Sequence, residues 1–198
     1  MRTSSKRLFT LGTVVALSSL LMTSALAEIK RFAFSGTVGQ VSTGTGGVLD
    51  GSITNGSPFE GYYTFDITAA DSNSDPTVGD YRFTNSAFGL VVRMGSYVFR
   101  TDPRRVDFLI EVVNRPGQDN YLLRSYQNLG SQGVIIEHIA WQLDDRSGTA
   151  LSNDLLLPTP PVLSAFESIF GLTVEGGCSS LFIRGRVTSI REEAAPPS

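Results

Sequence analysis

Gly61-Tyr-Tyr-Thr-Phe-Asp66-Ile-Thr-Ala-Ala-Asp71-Ser-Asn-Ser-Asp75-Pro-Thr-Val-Gly-Asp80-Tyr81 is the stretch on which the reading of the fold turns. Its first third alternates. Tyr63, Phe65 and Ile67 point one way and Tyr62, Thr64 and Asp66 the other, the period of two that lays one face of a strand on a core. From Asp71 to Asp80 the chain becomes an oxygen-rich loop, and Tyr81 and Phe83 open the next strand. Asp71, Asn73, Asp75 and Asp80 crowd that loop, which holds no lysine or arginine of its own.

The same alternation recurs outward in both directions. Phe32, Phe34 and Val38 share one face of a strand from Arg31 to Val41. Phe88, Leu90, Val92 and Met94 alternate with Gly89, Val91 and Arg93, and Gly95-Ser96 turns them into a hairpin with Tyr97 to Arg100. Val106, Phe108, Ile110 and Val112 form the clearest inward stripe, opposite Asp107 and Glu111. Further on, Ile135, Ile139, Trp141 and Leu143 share a face that Glu137 interrupts, with His138 and Gln142 on the other side. No stretch keeps a helical period for three turns. The pattern predicts an all-β chain, an antiparallel, jelly-roll-like β-sandwich. It allows at most one short helix, opened by Thr159-Pro160-Pro161 and ended by Phe166.

One echo bears on topology. Phe34-x-Gly36-x-Val38-x-x-Val41 matches Ile183-x-Gly185-x-Val187-x-x-Ile190. In both, a period of two slips to three after the valine at the third marked place, Val38 or Val187, as a β-bulge requires. Two such strands would lie side by side and close the sandwich.

The first 27 residues read as an export signal. Arg2, Lys6 and Arg7 precede an apolar run from Val14 to Met22, and Ser24-Ala25-Leu26-Ala27 offers small residues for cleavage. That run is shorter than the ~20 residues a membrane helix needs. The expected organisation is therefore a leader at 1–27, one β-sandwich domain at 28–190 and a disordered tail at 191–198. Without the leader, 13 basic residues face 19 acidic ones, a net charge of −6, and Lys30 is the sole lysine. This balance excludes the basic stripe that nucleic-acid binding requires. The single cysteine, Cys178, permits no internal disulfide and reads as a small buried apolar residue.

The acidic loop is a candidate structural calcium site. Asp71, Asn73 and Asp75 alternate toward one point, and Asp80 or Asp66 would close a shell of six to eight oxygens. An EF-hand is excluded, because Pro76 stands where glycine is required and Arg82 where the closing glutamate belongs. The competing reading is a solvated turn, since Asp, Asn and Ser bond their own backbone. Catalytic signatures are sparse. His138 is the lone histidine, no Gly-x-Ser-x-Gly is present, and zinc would lack ligands. Glu111, Glu137 and Glu167 are the acids a glycosidase pair would draw on. Gly44-Thr-Gly-Gly47 lacks the lysine and helix of a phosphate loop. Tyr62, out of phase with its inward neighbours, is the candidate for stacking on a sugar, and Tyr126 is a second. Trp141 belongs with the core.

Several segments resemble small exported β proteins of the PEP-CTERM sorting class in Gram-negative bacteria. They are Phe34-Ser-Gly-Thr-Val38, Gly61-Tyr-Tyr-Thr-Phe-Asp66, Asp71 to Asp80, Asp145 to Ser152, Pro160 to Phe166 and Gly185-Arg-Val-Thr-Ser189. The resemblance implies a signal peptide, a β-sandwich and a surface or exopolysaccharide-associated location, periplasmic or extracellular. It brings no biochemical activity. After Ile190 the chain reads Arg191-Glu-Glu-Ala-Ala-Pro-Pro-Ser198, without the sorting tail, so free export is expected. The resulting expectation is an exported, non-enzymatic structural or binding component of the cell surface or matrix. A carbohydrate-binding module that holds exopolysaccharide or other surface glycans stands second, and a glycoside-acting hydrolase third.

Overall fold

The computed structural model describes residues 27–44, 49–167, 171–177 and 181–195. The leader reading (except Ala27), Val48, most of the Gly44–Gly47 loop and Cys178 therefore lie outside the described residues. Eleven strands follow one another: β1 (Ile29–Thr43), β2 (Pro58–Asp66), β3 (Val78–Phe83), β4 (Gly89–Met94), β5 (Tyr97–Thr101), β6 (Phe108–Arg115), β7 (Gln118–Ser125), β8 (Asn128–Gly130), β9 (Ile136–Asp145), β10 (Leu172–Gly176) and β11 (Leu181–Glu193). Among the described residues there is no α-helix. The helix expected near Phe166 is a single 3₁₀ turn at Leu163–Ala165, since Phe166 itself is extended at φ −109° and ψ 139°.

All the pairings are antiparallel, in the order β3-β6-β7-β9-β10-β11-β1-β2-β4-β5-β8. The expected sandwich of two separate sheets is thus one continuous sheet, curled into a half-barrel until its inner surfaces meet. Two contacts record the curl. The hydroxyls of Tyr63 on β2 and Tyr121 on β7, five places apart in that order, lie 3.1 Å from each other. Those of Thr101 on β5 and Ser125 on β7 are 2.8 Å apart. Right-handed strand twist, summed over eleven strands, bends an open sheet onto itself, and burial of the inner face holds it there.

Alternation fills that interior. Tyr63, Phe65, Leu90, Val92, Met94, Phe108, Ile110 and Val112 are all fully buried. Phe34 stacks on Trp141 at 5.7 Å, and Tyr121 meets the same indole edge-on at 6.2 Å. Such pairs add about 0.5–1.5 kcal/mol each beyond the area they bury.

The echo motifs pair with each other. In the β1–β11 ladder Phe34 faces Ile190, Gly36 faces Val187, Val38 faces Gly185 and Val41 faces Ile183. The two register shifts leave Thr188 and Gly39 out of the pairing, so the bulges follow Val187 and Val38, where the period slips. Phe59 on β2 is the register partner of Gly36, and its ring lies over both motif glycines. A Cβ on Gly36 would lie 2.5 Å from Phe59 Cζ, and one on Gly185 would lie 2.4 Å from Phe59 Cε1.

Two expectations need correction. Ile135 is 72% exposed, and Ile136 takes the inward place at 4%. The ladder passes from Glu175↔His138 to Gly176↔Ile136, so a bulge at Glu137 reverses the phase. The C-terminal tail does not begin at Arg191. Arg191, Glu192 and Glu193 continue β11 and pair with Ala33, Phe32 and Arg31. The long first strand leaves those positions a ladder to complete, and Lys30–Glu192 at 3.0 Å closes it with an ion pair.

Candidate functional site

The acidic loop folds back along the outer edge of β3, the first strand in the sheet. The Asp80 N–H donates to Asp71 Oδ1 at 2.8 Å, and the Asp80 carbonyl accepts both N–H and hydroxyl of Ser72 at 2.9 Å. These are backbone groups that an open edge would leave to water or to another chain. The carboxylates then serve the turns themselves. Asp71 Oδ1 also accepts from Asn73 N, Asn73 Oδ1 from Asp75 N, and Asp75 Oδ1 from Thr77 N and Oγ1. Asn73 Nδ2 reaches Asp80 Oδ2 at 3.0 Å.

Asp75 Oδ2 meets the Arg115 guanidinium of β6 at 2.8 Å, a neutralising cation that the loop lacks in sequence. The hydrogen bonds from Thr77, and then that guanidinium, hold the Asp75 carboxyl below its usual range. Asp66 turns away to bond Thr68. Among the described residues no three acidic, histidine or cysteine side chains gather as a metal would require. Asp71 Oδ1, Asn73 Oδ1 and Asp75 Oδ1 are thus engaged by local donors, while Asp80 Oδ1 is buried without a partner among the described residues.

Asp80 also faces Glu111 across the β3–β6 ladder. Burial pushes the Glu111 carboxyl up. Arg124 opposes that shift, and the neighbouring Asp80 adds to it.

Tyr62 does point outward, as its phase requires, but it is half-buried, and Arg31 lies over its ring at 3.5 Å from the centroid. Arg93 approaches the same ring at 6.0 Å. A sugar stacking on Tyr62 must therefore share the ring with a guanidinium or displace it. Register explains the grouping. Ala33 on β1 sits between Tyr62 on β2 and Arg191 on β11, and Glu60 lies between Ser35 and Arg93. The small Ala33 leaves a hollow of about 160 Å³ walled by Arg31, Tyr62, Arg93 and Arg191. A second hollow of about 460 Å³ continues it, sharing Ser35, Glu60 and Arg93. Glu193 binds Arg191 at 2.7 Å and Arg31 at 3.6 Å. Glu60 and Arg93 form no ion pair among the described residues, although they are register partners. Sequence reasoning found Tyr62 and missed its arginines. Arg31 and Arg93 sit beside the buried Phe32 and Val92, and Arg191 beside the partly buried Ile190, on three different strands.

The remaining candidates scatter. Tyr126, 36% exposed, stacks on His138 at 5.5 Å and takes Arg82 at 5.8 Å from its ring. His138 Nδ1 lies 3.8 Å from Glu175. Burial lowers the imidazole pKa, against a smaller opposing pull from Glu175. Glu137 and Glu167 are exposed on separate elements, β9 and the segment after the 3₁₀ turn, and are not brought together with Glu111 as a pair.

Two acids unremarked in sequence are buried instead. Asp145 accepts from the Ser147 hydroxyl and from the backbone of Ser147, Thr149 and Ala150, which holds its carboxyl far below the usual range. Asp119, its register partner, accepts from Leu151 N at 2.8 Å. Together they tie down the loop that follows β9.

Compared with models of protein families, with curated proteins and with solved structures, the chain matches none.

Proposed function

We propose that this chain is an exported, non-enzymatic binding component of the cell surface or extracellular matrix, and that its outer-face groove holds an acidic glycan. The observation that carries the reading is the set of Arg31, Arg93 and Arg191 around Tyr62, on a chain whose overall charge is negative. Guanidinium groups match carboxylates in a planar, two-pronged fashion, and an aromatic ring beneath one of them fixes its plane. A chain of uronate sugars offers one carboxylate per residue along an extended line, and the two hollows in series offer a matching track. The reading keeps Tyr62 as a ligand residue but changes its task from sugar platform to support for Arg31. The groove lies across neighbouring strands of the one curled sheet.

Binding of oligogalacturonate by titration calorimetry tests the proposal, with a neutral cello-oligosaccharide of equal length beside it. The expected result is retention of the acidic oligomer alone, weakened by salt and by Arg93→Glu. Equal affinity for both oligomers, or none for the acidic one, would sink it. New reducing ends in the incubated oligomer would favour the hydrolase reading instead.

A further inference from the structure

The sheet has a slot in its wall. β10 spans only Leu172–Gly176, pairing with β9 as far as Trp141 and with β11 as far as Gly185. Beyond those points no described residue continues β10 between the end of β9 and the stretch of β11 from Arg186 onward. The 3₁₀ turn segment covers the gap, fastened where Glu167 N donates to Asp144 O at 2.8 Å. Under it lies a cavity of about 700 Å³, larger than either hollow of the outer groove.

Its walls divide by chemistry. Trp141, Leu143, Leu163 and Phe166 supply an apolar side, and Arg186 and Thr188 stand at the other. Arg186 is exposed and makes no ion pair among the described residues. Trp141 is wholly buried, and its Nε1–H has no acceptor. Pockets for small ligands combine this kind of apolar lining with a few placed polar groups.

We infer that the slot binds a small hydrophobic organic anion. Its apolar body lies against Leu163 and Phe166, and its carboxylate or sulfonate is met by Arg186. A guanidinium with no ion pair among the described residues, at the rim of an apolar cavity, is complementary to that class and to no neutral lipid. The site is separate from the outer groove and does not depend on the glycan reading.

The test uses the full chain and the probe 8-anilinonaphthalene-1-sulfonate, read by energy transfer from Trp141, the only tryptophan. Saturable one-to-one binding to protein with an unchanged Tm is expected. Arg186→Gln should weaken it about tenfold, and Arg186→Lys should restore most of the loss. Ser164→Phe, which fills the cavity from the turn, should abolish it. Dodecanoate should displace the probe. Absence of saturable binding would overturn the inference. So would equal affinity for the uncharged N-phenyl-1-naphthylamine, or binding indifferent to both Arg186→Gln and Ser164→Phe in variants that keep the parent Tm.

Discussion

Alanine at Gly185 and alanine at Gly36 look like the same change on paired strands, yet the contacts around them differ. At Gly185 all three nearest neighbours of an added Cβ are Phe59 ring carbons, at 2.4, 3.1 and 3.2 Å. At Gly36 the nearest is the Arg186 carbonyl oxygen, at 2.0 Å, with the Phe59 ring behind it at 2.5 Å. Overpacking of this kind costs about 1–3 kcal/mol, offset by roughly 0.5–1 kcal/mol from the stiffer unfolded chain. Gly185→Ala should therefore lose about 1–2 kcal/mol, or roughly 2–8 °C in Tm for a chain of this size. Gly36→Ala should lose at least ~3 kcal/mol, because a ladder carbonyl cannot turn aside as a ring can. Phe59→Ala alone should cost about 3–5 kcal/mol through the cavity it leaves. Combined with Gly185→Ala, it should show a favourable coupling of ~1–2 kcal/mol, since the new methyl enters the vacated space. With Gly36→Ala the coupling should be much smaller, because the carbonyl clash persists. Urea denaturation of the five variants and the parent measures each term. Equal coupling at both glycines, or none at Gly185, would refute the claim that Phe59 is what keeps position 185 empty.

Asp71→Ala should cost ~1 kcal/mol in urea denaturation. It should also raise light scattering on standing, because the freed Asp80 N–H reopens the β3 edge. Tyr63→Phe or Tyr121→Phe alone leaves one buried hydroxyl unpaired and should cost about 1–3 kcal/mol, whereas the double change should cost less than the sum of the two singles. The depressed Asp145 carboxyl stabilises the fold above the ordinary carboxylate range. That contribution is lost as pH falls through its folded value, so Asp145→Asn should be less stable than the parent at pH 7, and the gap should narrow as the pH is lowered through the acid range. Glu111 runs the other way. Its raised carboxyl supports the fold in acid and ceases to as pH rises, so Glu111→Gln should raise Tm at pH 7 and gain less as pH approaches 4.

Local pattern was enough for most of the strands. Wherever Phe, Val, Ile and Leu alternate with polar residues, as from Val106 to Val112, burial follows, because a strand shows successive side chains to opposite faces whatever it pairs with. The echo motifs went further. Their shared slip from two to three announced two bulges, and the strands carrying them proved to be neighbours. Bulges can also hide from pattern. The one at Glu137 reversed the phase between Ile135 and Ile139, and it exists only because β10 pairs there.

What sequence could not decide was which polar groups meet. Asp75 finds Arg115 forty residues away, and Tyr62 collects Arg31 and Arg93 from strands on either side of β2. The loop read as a candidate ion site also ties down the edge of β3, since an unpaired ladder demands partners that only the sheet order reveals. One sheet or two was likewise beyond local reading. Alternation says which face is buried. It does not say whether that face is covered by a second sheet or by the same sheet, curled round until Tyr63 touches Tyr121.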